Sequence, residues 1–426
     1  MNLEIGKTIE VTAHEVDRFA QGVSRVEDVV VFTHGLLAGE KALVTITQVK
    51  KNFVKAKIKK LLTQSPLRKT MPSRLGALDL FHLKDDEQDK WQYETTKEQV
   101  KRNLGLEDVV EATLSDENKL RYRNKVVYHV LNDSMMRLGL YTQEPIELVE
   151  VHTFLINSLA IQRCIAKIQQ QSIEIDPEVF KHVVLRSNEK EEVLVTLVAY
   201  KKDFKGLKEL IDVIKTFKEV VGLTLNIKPN ETTILGRESI VLFGKNELEF
   251  SLGELKLKVN DQSFMQVNTS MMNKVYDEIK KEVEGETLID AYSGIGSIGF
   301  YVGSNAKKVI MIENNLKNIE VANELKHKVK GNYEVIYGDA KNFIPKFNAD
   351  TLVVDPPRAG LHESLLATLK EKHFKKIIYL SCELNTLIRD LKVLTETYRI
   401  KRIVPVRMFP QTTAIETLTI LDRKAL

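Results

Sequence analysis

Apolar residues in the first part of the chain fall in short runs: Thr8 to Val11, Gly22 to Val26, Val29 to Thr33, Lys41 to Val49 and Val54 to Ile58. Glycine and charged residues separate the runs, and no helical period links them. The pattern predicts a small antiparallel β-barrel over residues 1–62, OB-like and of a kind that commonly binds nucleic acid. Residues 63–90 have weak periodicity, two prolines (Pro66 and Pro72) and an acidic cluster, after which Trp91 to Leu104 turns helical. From Arg121 to Gly253 strands and helices mix, with Val193 to Ala199 as a strand and Leu207 to Phe217 as an amphipathic helix, so residues 63–260 are expected to form an α+β domain.

After Gln262 the pattern becomes a regular alternation. Helices are expected at 270–283, 297–303 and 315–328, and strands at 287–291, 308–312, 334–337, 350–354 and 376–381. Such alternation predicts an α/β doubly wound, Rossmann-like domain over residues 261–426. In doubly wound sheets ligands bind at the carboxyl ends of the strands.

Composition narrows the chemistry. The 426 residues are long enough for two or three domains, and the formal charge of +4 from 63 basic and 59 acidic residues names no partner. Residues 1–70, however, hold twelve Lys or Arg against seven Asp or Glu, with six lysines between Lys50 and Lys60. That is either a phosphate-contact face or an ordinary solvated surface. Two cysteines, Cys164 and Cys382, cannot build a disulfide framework, a four-thiolate zinc site or a four-cysteine iron-sulfur cluster. No secretory signal or membrane-length apolar run is visible, which points to a cytoplasmic protein.

Thr287-Leu288-Ile289-Asp290-Ala291-Tyr292-Ser293-Gly294-Ile295-Gly296 reads as a strand entering a glycine turn. Gly294 and Gly296 let a ligand approach the backbone, and Glu313 at the end of the next strand is placed for a ribose. The fingerprint alone fits an NAD enzyme, an S-adenosylmethionine enzyme or a structural turn. Asp355-Pro356-Pro357-Arg358 breaks the tie: a carboxylate and two stiff prolines at a strand's carboxyl end answer to nothing in hydride transfer. Gly338-Asp339-Ala340 offers a further acid, suited to an adenine amino group.

Cys382 follows the strand Lys376 to Ser381 and precedes a helix over Glu383 to Thr395, a position that favours a lowered thiol pKa and nucleophilic use. Cys164, within the helical pattern Leu155 to Ile168, reads as apolar filler. Past Phe409-Pro410-Gln411-Thr412-Thr413, the strand Ala414 to Leu421 puts Glu416 on the same face as Leu418 and Ile420, which turns its carboxylate inward. In Ser263-Phe264-Met265-Gln266-Val267-Asn268, Asn268 reads as a helix N-cap, and Gln266 has no capping role.

The segments containing Gln266, Gly294, Asp355, Cys382 and Glu416 together closely resemble the RNA 5-methyluridine (uracil-C5) methyltransferase family. Further similarity lies in Arg121-Tyr122-Arg123-Asn124-Lys125 and in His34-Gly35-Leu36-Leu37-Ala38-Gly39-Glu40, the latter within a part similar to the family's TRAM barrel. The resemblance implies that Gln266, Tyr292, Glu313 and Asp355 contact S-adenosylmethionine, that Cys382 is the nucleophile and that Glu416 is the base. It implies an RNA substrate, 23S ribosomal RNA because of the barrel, and a monomeric enzyme. Many relatives carry cluster cysteines, two of them in a run that corresponds to Leu75-Gly76-Ala77-Leu78, so no iron-sulfur cluster and no metal are expected. Rival readings are a transfer-RNA uridine methyltransferase, an amino-group or cytosine-C5 methyltransferase, and a non-catalytic RNA-binding protein.

Overall fold

The computed structural model describes residues 3–71, 75–143 and 146–425. Of the sequence features above, Pro72 lies outside the described residues. The N-terminal strands are β1 (Thr8–Thr12), β2 (Glu15–Val16), β3 (Gln21–Val26), β4 (Val29–His34), β5 (Lys41–Val49) and β6 (Phe53–Leu61). They form one six-stranded sheet in the order β1-β5-β6-β4-β3-β2, antiparallel except where β4 meets β6. Alternation explains its core: Ala42, Val44 and Ile46 of β5 are buried against Ile9, Val11, Val31 and Val54, while Lys41 and Thr47 are exposed. Gly22 is required, because a Cβ there would sit 2.6 Å from the Leu36 carbonyl oxygen.

Glu40 pins the barrel to the following connector. Its buried carboxylate accepts hydrogen bonds from Arg68 Nε at 2.6 Å, Leu37 N at 2.8 Å and Ser65 N at 3.0 Å. Burial opposes the charge, but these donors hold the carboxyl below its ordinary pKa. Further along, Leu75 and Leu78 are buried with Tyr122, Met136, Leu138 and Phe154. Apolar packing therefore holds the Leu75-to-Leu78 segment in place.

The central sheet is built from β7 (Lys125–Val130), β8 (Leu138–Tyr141), β9 (Leu148–Glu150), β10 (Phe180–Ser187), β11 (Val193–Ala199), β12 (Val220–Ile227) and β13 (Glu238–Gly244). Its order is β13-β12-β11-β10-β7-β8-β9, and only β11 and β12 run parallel, joined through the helix Leu207–Ile214. Cys164, on the helix Leu159–Gln169, is fully buried in this core beside Ile161, Ile165 and Phe180. A hairpin, β14 (Glu247–Leu252) with β15 (Leu255–Asn260), then leads into the C-terminal domain.

That domain contains β16 (Thr287–Ala291), β17 (Lys308–Glu313), β18 (Tyr333–Tyr337), β19 (Thr351–Val354), β20 (Lys376–Ser381), β21 (Tyr398–Val406) and β22 (Glu416–Arg423). The order is β18-β17-β16-β19-β20-β22-β21; the first five strands are parallel, and β22 is antiparallel to both neighbours. The strand order reverses direction beside β16, the switch point at which such sheets bind ligands.

One segment sits where sequence order does not suggest. The helix Asp85–Leu104 and the stretch after it pack on the C-terminal sheet: Val110 and Leu114 bridge in parallel to Ile403 and Val406 of β21, and Val100 and Val110 share a core with Leu387 and Ile403. The helix begins six residues before the periodicity at Trp91 suggests, because Asp85, Asp86 and Glu87 supply a favourable acidic first turn with no apolar signal. No helix among the described residues is long and apolar enough to cross a membrane.

Candidate active site

Four neighbouring strands bring the chemical groups together. The register pairs Ala291 with Val354 and Val354 with Tyr379, so Tyr292, Asp355 and Cys382 all lie just past the carboxyl ends of β16, β19 and β20. On β22, which runs the other way, Thr417 pairs with Ser381. Glu416 and Cys382 each lie one residue beyond that pair, near enough for the Glu416 carboxylate to act on the thiol. A carboxylate at the start of an antiparallel strand thus reaches the same edge as a thiol at the end of a parallel one.

The glycine turn is held from below by two acids. Asp290, fully buried, accepts a hydrogen bond from Gly299 N at 2.8 Å, and burial together with the nearby Asp355 and Glu313 carboxylates pushes its pKa up to about 8. Glu313 accepts from Gly294 N at 2.9 Å and from Asn315 N at 2.7 Å, so the acid expected to meet a ribose also shapes the loop above it. Tyr292, Gly294 and Gly296 all adopt left-handed backbone, with φ of 62°, 57° and 82°. The two glycines differ in purpose. A Cβ at Gly296 would meet the Phe300 ring at 2.6 Å and Met311 sulfur at 2.9 Å, whereas nothing lies within 4 Å of one at Gly294. Gly296 is close-packed within the protein, and Gly294 presents bare backbone outward.

This cradle fits S-adenosylmethionine. The bare backbone at Gly294 permits close approach, and Ser293 Oγ and Asp290 Oδ1 beneath it are buried without protein partners. Carboxylates at Glu313, Asp339 and Asp355 suit ribose hydroxyls, an adenine amino group and a methionine ammonium respectively. Asp339 caps the helix Ala340–Phe343 through Lys341 N at 3.1 Å, which fixes its orientation at the end of β18. Gln266 is buried next to Asn268, which caps the helix Thr269–Glu282 through Met271 N, as expected, and also donates to Met408 O at 3.0 Å. Asn124 donates to the Gln266 carbonyl at 3.2 Å and to Thr269 Oγ1 at 3.0 Å, so the Arg121-to-Lys125 motif anchors this segment to the central domain. Among the described residues, no group of three His, Cys, Asp or Glu side chains is placed to hold a metal ion.

The reacting edge is unusually acid-retentive. Burial pushes the Asp355 carboxyl up to about 7. Burial, with Asp355 beside it, pushes Glu416 up to about 8, and the Arg358 guanidinium acts in the opposite direction. The lowered thiol pKa expected for Cys382 is not observed. Burial raises it, and the Glu416 and Asp355 carboxylates raise it further, against a smaller opposing effect of Arg358. A helix terminus supplies only partial charge, and two nearby carboxylates outweigh it.

Three residues were not singled out from sequence. Arg358 is the cation facing both Cys382 and Glu416, although it stands in plain view at the end of the Asp-Pro-Pro motif. Asp290 looks like one more strand residue until its burial is known. Asp390 has no local signal: its carboxylate accepts from Leu361 N at 2.8 Å and the Tyr379 hydroxyl at 2.7 Å, fixing the loop after Arg358 against the helix Leu384–Leu394. The approach to Glu416 is fixed likewise. Gln411, at φ 73°, bonds Asp85 Oδ1 at 2.8 Å, and Asp79 accepts from Thr413 N at 3.1 Å and from its hydroxyl.

The family model described as tRNA (uracil-5-)-methyltransferase matches residues 90–424, and that of the TRAM domain matches residues 2–59. A Bacillus cereus protein described as an uncharacterized RNA methyltransferase is 32% identical over 451 residues, covering 99% of this chain and 98% of its own. One from Lactobacillus johnsonii, described in the same words, is 32% identical over 435 residues, covering 95% and 96%. Among solved structures, the Pyrococcus abyssi tRNA (uracil-54, C5)-methyltransferase in complex with S-adenosyl-L-homocysteine superposes with a TM-score of 0.77, covering 97% of this chain and 100% of that one at 23% identity. Its likeness extends over barrel, central sheet and C-terminal sheet together.

Proposed function

The chain belongs to the tRNA (uracil-5-)-methyltransferase family of S-adenosylmethionine-dependent RNA methyltransferases, and from that premise we propose that it methylates C5 of a uridine in 23S ribosomal RNA through a covalent adduct on Cys382. The observation that carries the chemical reading is that Cys382 follows the end of β20 and Glu416 begins β22, one residue beyond the Ser381–Thr417 pair on each strand, with Asp355 and the glycine cradle alongside. Gln266, Tyr292, Gly294, Gly296, Glu313, Asp339 and Asp355 would hold the cofactor, which supplies an electrophilic methyl group.

Uracil C5 is a weak carbon nucleophile. Cys382 Sγ adds to C6 as a thiolate, and the electron pair displaced toward C5 would form the bond to the methyl carbon as that carbon's bond to the cofactor sulfur breaks, the pair returning to sulfur and S-adenosylhomocysteine leaving. Glu416 then takes the C5 proton, the C6–S bond breaks, and Cys382 leaves as thiolate. Burial makes Glu416 a stronger base than an exposed carboxylate. Arg358 supports the anionic stages as a cation whose charge acts on both groups. Because uridine must meet Cys382 and the cradle at once, it has to be unpaired or flipped from its stack.

The test is 5-fluorouridine RNA, in which fluorine replaces the proton that Glu416 must remove. A wild-type adduct stable to denaturing electrophoresis, and mapping to Cys382, is expected; no adduct would overturn covalent catalysis. A second substrate reading, transfer RNA, is favoured by the Pyrococcus abyssi protein, whose matched region includes the barrel. Mapping 5-methyluridine in ribosomal and transfer RNA from a deletion strain separates the two. We further propose a monomer acting in the cytoplasm.

A further inference from the structure

Between the barrel and the connector lies a cavity of about 600 Å³ that shares no lining residue with the catalytic edge. Its barrel wall carries Lys57, Lys59 and Lys60, and Arg68 and His34 also line it. His82 and Asp79 belong to the lining as well. His82 is 1% exposed, and neither of its ring nitrogens has a hydrogen-bond partner. Asp79 is 3% exposed, and its Oδ1 is likewise unpartnered, while its Oδ2 accepts from Thr413.

Leaving three buried polar atoms unpaired is costly, and unexplained buried polar groups point to a ligand. Burial, reinforced by the Arg68 and His34 charges, drives the His82 pKa down to about 3, so the ring is neutral and offers one donor and one acceptor. With the acceptor Asp79 Oδ1 lining the same cavity, the site combines unpartnered donor and acceptor atoms with the lysines of β6. A nucleotide has the matching polarity: a base edge with adjacent donors and acceptors, and a phosphate. The volume is ample for one nucleotide.

We propose that this cavity receives a second unpaired nucleotide of the RNA substrate, its base against His82 and Asp79 and its phosphate against Lys57, Lys59 and Lys60. The inference rests on the RNA-methyltransferase reading above and adds a substrate contact to it. The lysines would favour phosphates of any sequence, and the base edge would require only that a base be present.

The test uses the full chain and its methylated RNA. His82→Phe keeps an aromatic ring but removes both nitrogens. A combined Lys57→Ala, Lys59→Ala, Lys60→Ala variant changes only exposed positions, and keeps the test sound if the first variant folds poorly. Each should raise KM for RNA about tenfold while leaving kcat and S-adenosylmethionine affinity as they are. Chemical footprinting should show one nucleotide besides the target protected by the wild type and not by His82→Phe. Making that nucleotide abasic should raise KM for the wild type and not for His82→Phe.

Wild-type KM in both variants, or no second protected nucleotide, would overturn the proposal. So would calorimetric binding of adenosine monophosphate that His82→Phe abolishes without any change in KM for RNA, since the cavity would then serve free nucleotides. If wild-type protein made no 5-methyluridine, the parent reading would fail instead, and the footprint would still be measurable by binding.

Discussion

The central and C-terminal sheets each have seven strands, but they distribute acid chemistry in opposite ways. In the central sheet, antiparallel pairing sends successive strand ends to opposite edges, and its buried acid Glu219 is neutralised by Arg163 at 3.0 Å and Lys167 at 2.9 Å, which, with a backbone hydrogen bond, bring its pKa down to about 2 despite burial. In the C-terminal sheet, five parallel strands deliver their carboxyl ends to a single edge. Asp290, Asp355 and Glu416 gather there, and their mutual repulsion adds to burial in raising the pKa of Asp290 and Glu416. Parallel topology concentrates charge that an antiparallel sheet disperses. The two cysteines follow the same division, one as core and one at the edge where acids meet.

The largest expected break in this contrast is Cys382→Ala. Methylation should fall by more than about 10⁴-fold while S-adenosylmethionine still binds, because the cradle at β16 and β19 is untouched. Single-turnover methylation and equilibrium dialysis read the two halves separately, and substantial turnover by the variant would exclude a thiol adduct. Glu416→Gln comes next, with a loss of about 10²–10⁴-fold confined to release of RNA from Cys382. The variant should therefore accumulate a gel-stable methylated adduct on ordinary RNA. Prompt release would show that another group takes the proton.

A pH series sharpens the comparison further. Glu416 is raised to about 8 and Cys382 lies above its ordinary thiol value, and both must lose a proton to act. Wild-type kcat/KM, which ends at methyl transfer, should climb with pH with a slope of one set by the Cys382 thiol, and kcat, which includes release, should carry a further rise around pH 8 from Glu416. In Glu416→Gln the residual adduct-forming rate should keep a slope of one, set by the thiol. A flat profile between pH 6 and 9 would contradict the acid-retentive edge.

Asp290 provides a stability test of the same idea. An acid with a folded pKa near 8 binds more protons folded than unfolded above pH 4, so its contribution to stability declines as pH rises toward 8. Asp290→Asn keeps an acceptor for Gly299 N and removes the titration. Urea unfolding at pH 8 should show a gain on the order of 2 kcal/mol over the wild type, shrinking toward zero near pH 4. An equal difference at both pH values would assign the effect to packing.

Sequence made the parallel half legible because its signals are local. The strands at 287–291 and 376–381 were expected with the bounds observed, and Glu416 is buried as its face parity requires. What escaped was set by contacts distant along the chain. The strand Tyr398–Val406 interleaves Arg399, Lys401 and Arg402 with apolar residues, and only pairing with β22 defines it. The helix Asp85–Leu104 belongs to the C-terminal core through Val100, although more than 180 residues separate it from β16. The Cys382 pKa was misjudged because a helix start is visible in sequence, whereas the burial of the thiol and the two carboxylates arriving from β19 and β22 are not.

The smallest effect belongs to the other cysteine. Cys164 is fully exposed only when the central domain opens, and burial, with Glu219 nearby, pushes its pKa up to about 12. Cys164→Ala deletes one buried sulfur among Ile161, Ile165 and Phe180 and should cost about 1 kcal/mol of unfolding free energy, with kcat within about twofold of the wild type. Iodoacetamide supplies the complementary reading. In the folded protein it should label Cys382 at a rate that rises with pH, and Cys164 only after denaturant unfolds the central sheet. Labelling of Cys164 in the native state at a rate comparable to Cys382 would mean that the central core opens readily, and the division of roles between the two sheets would no longer hold.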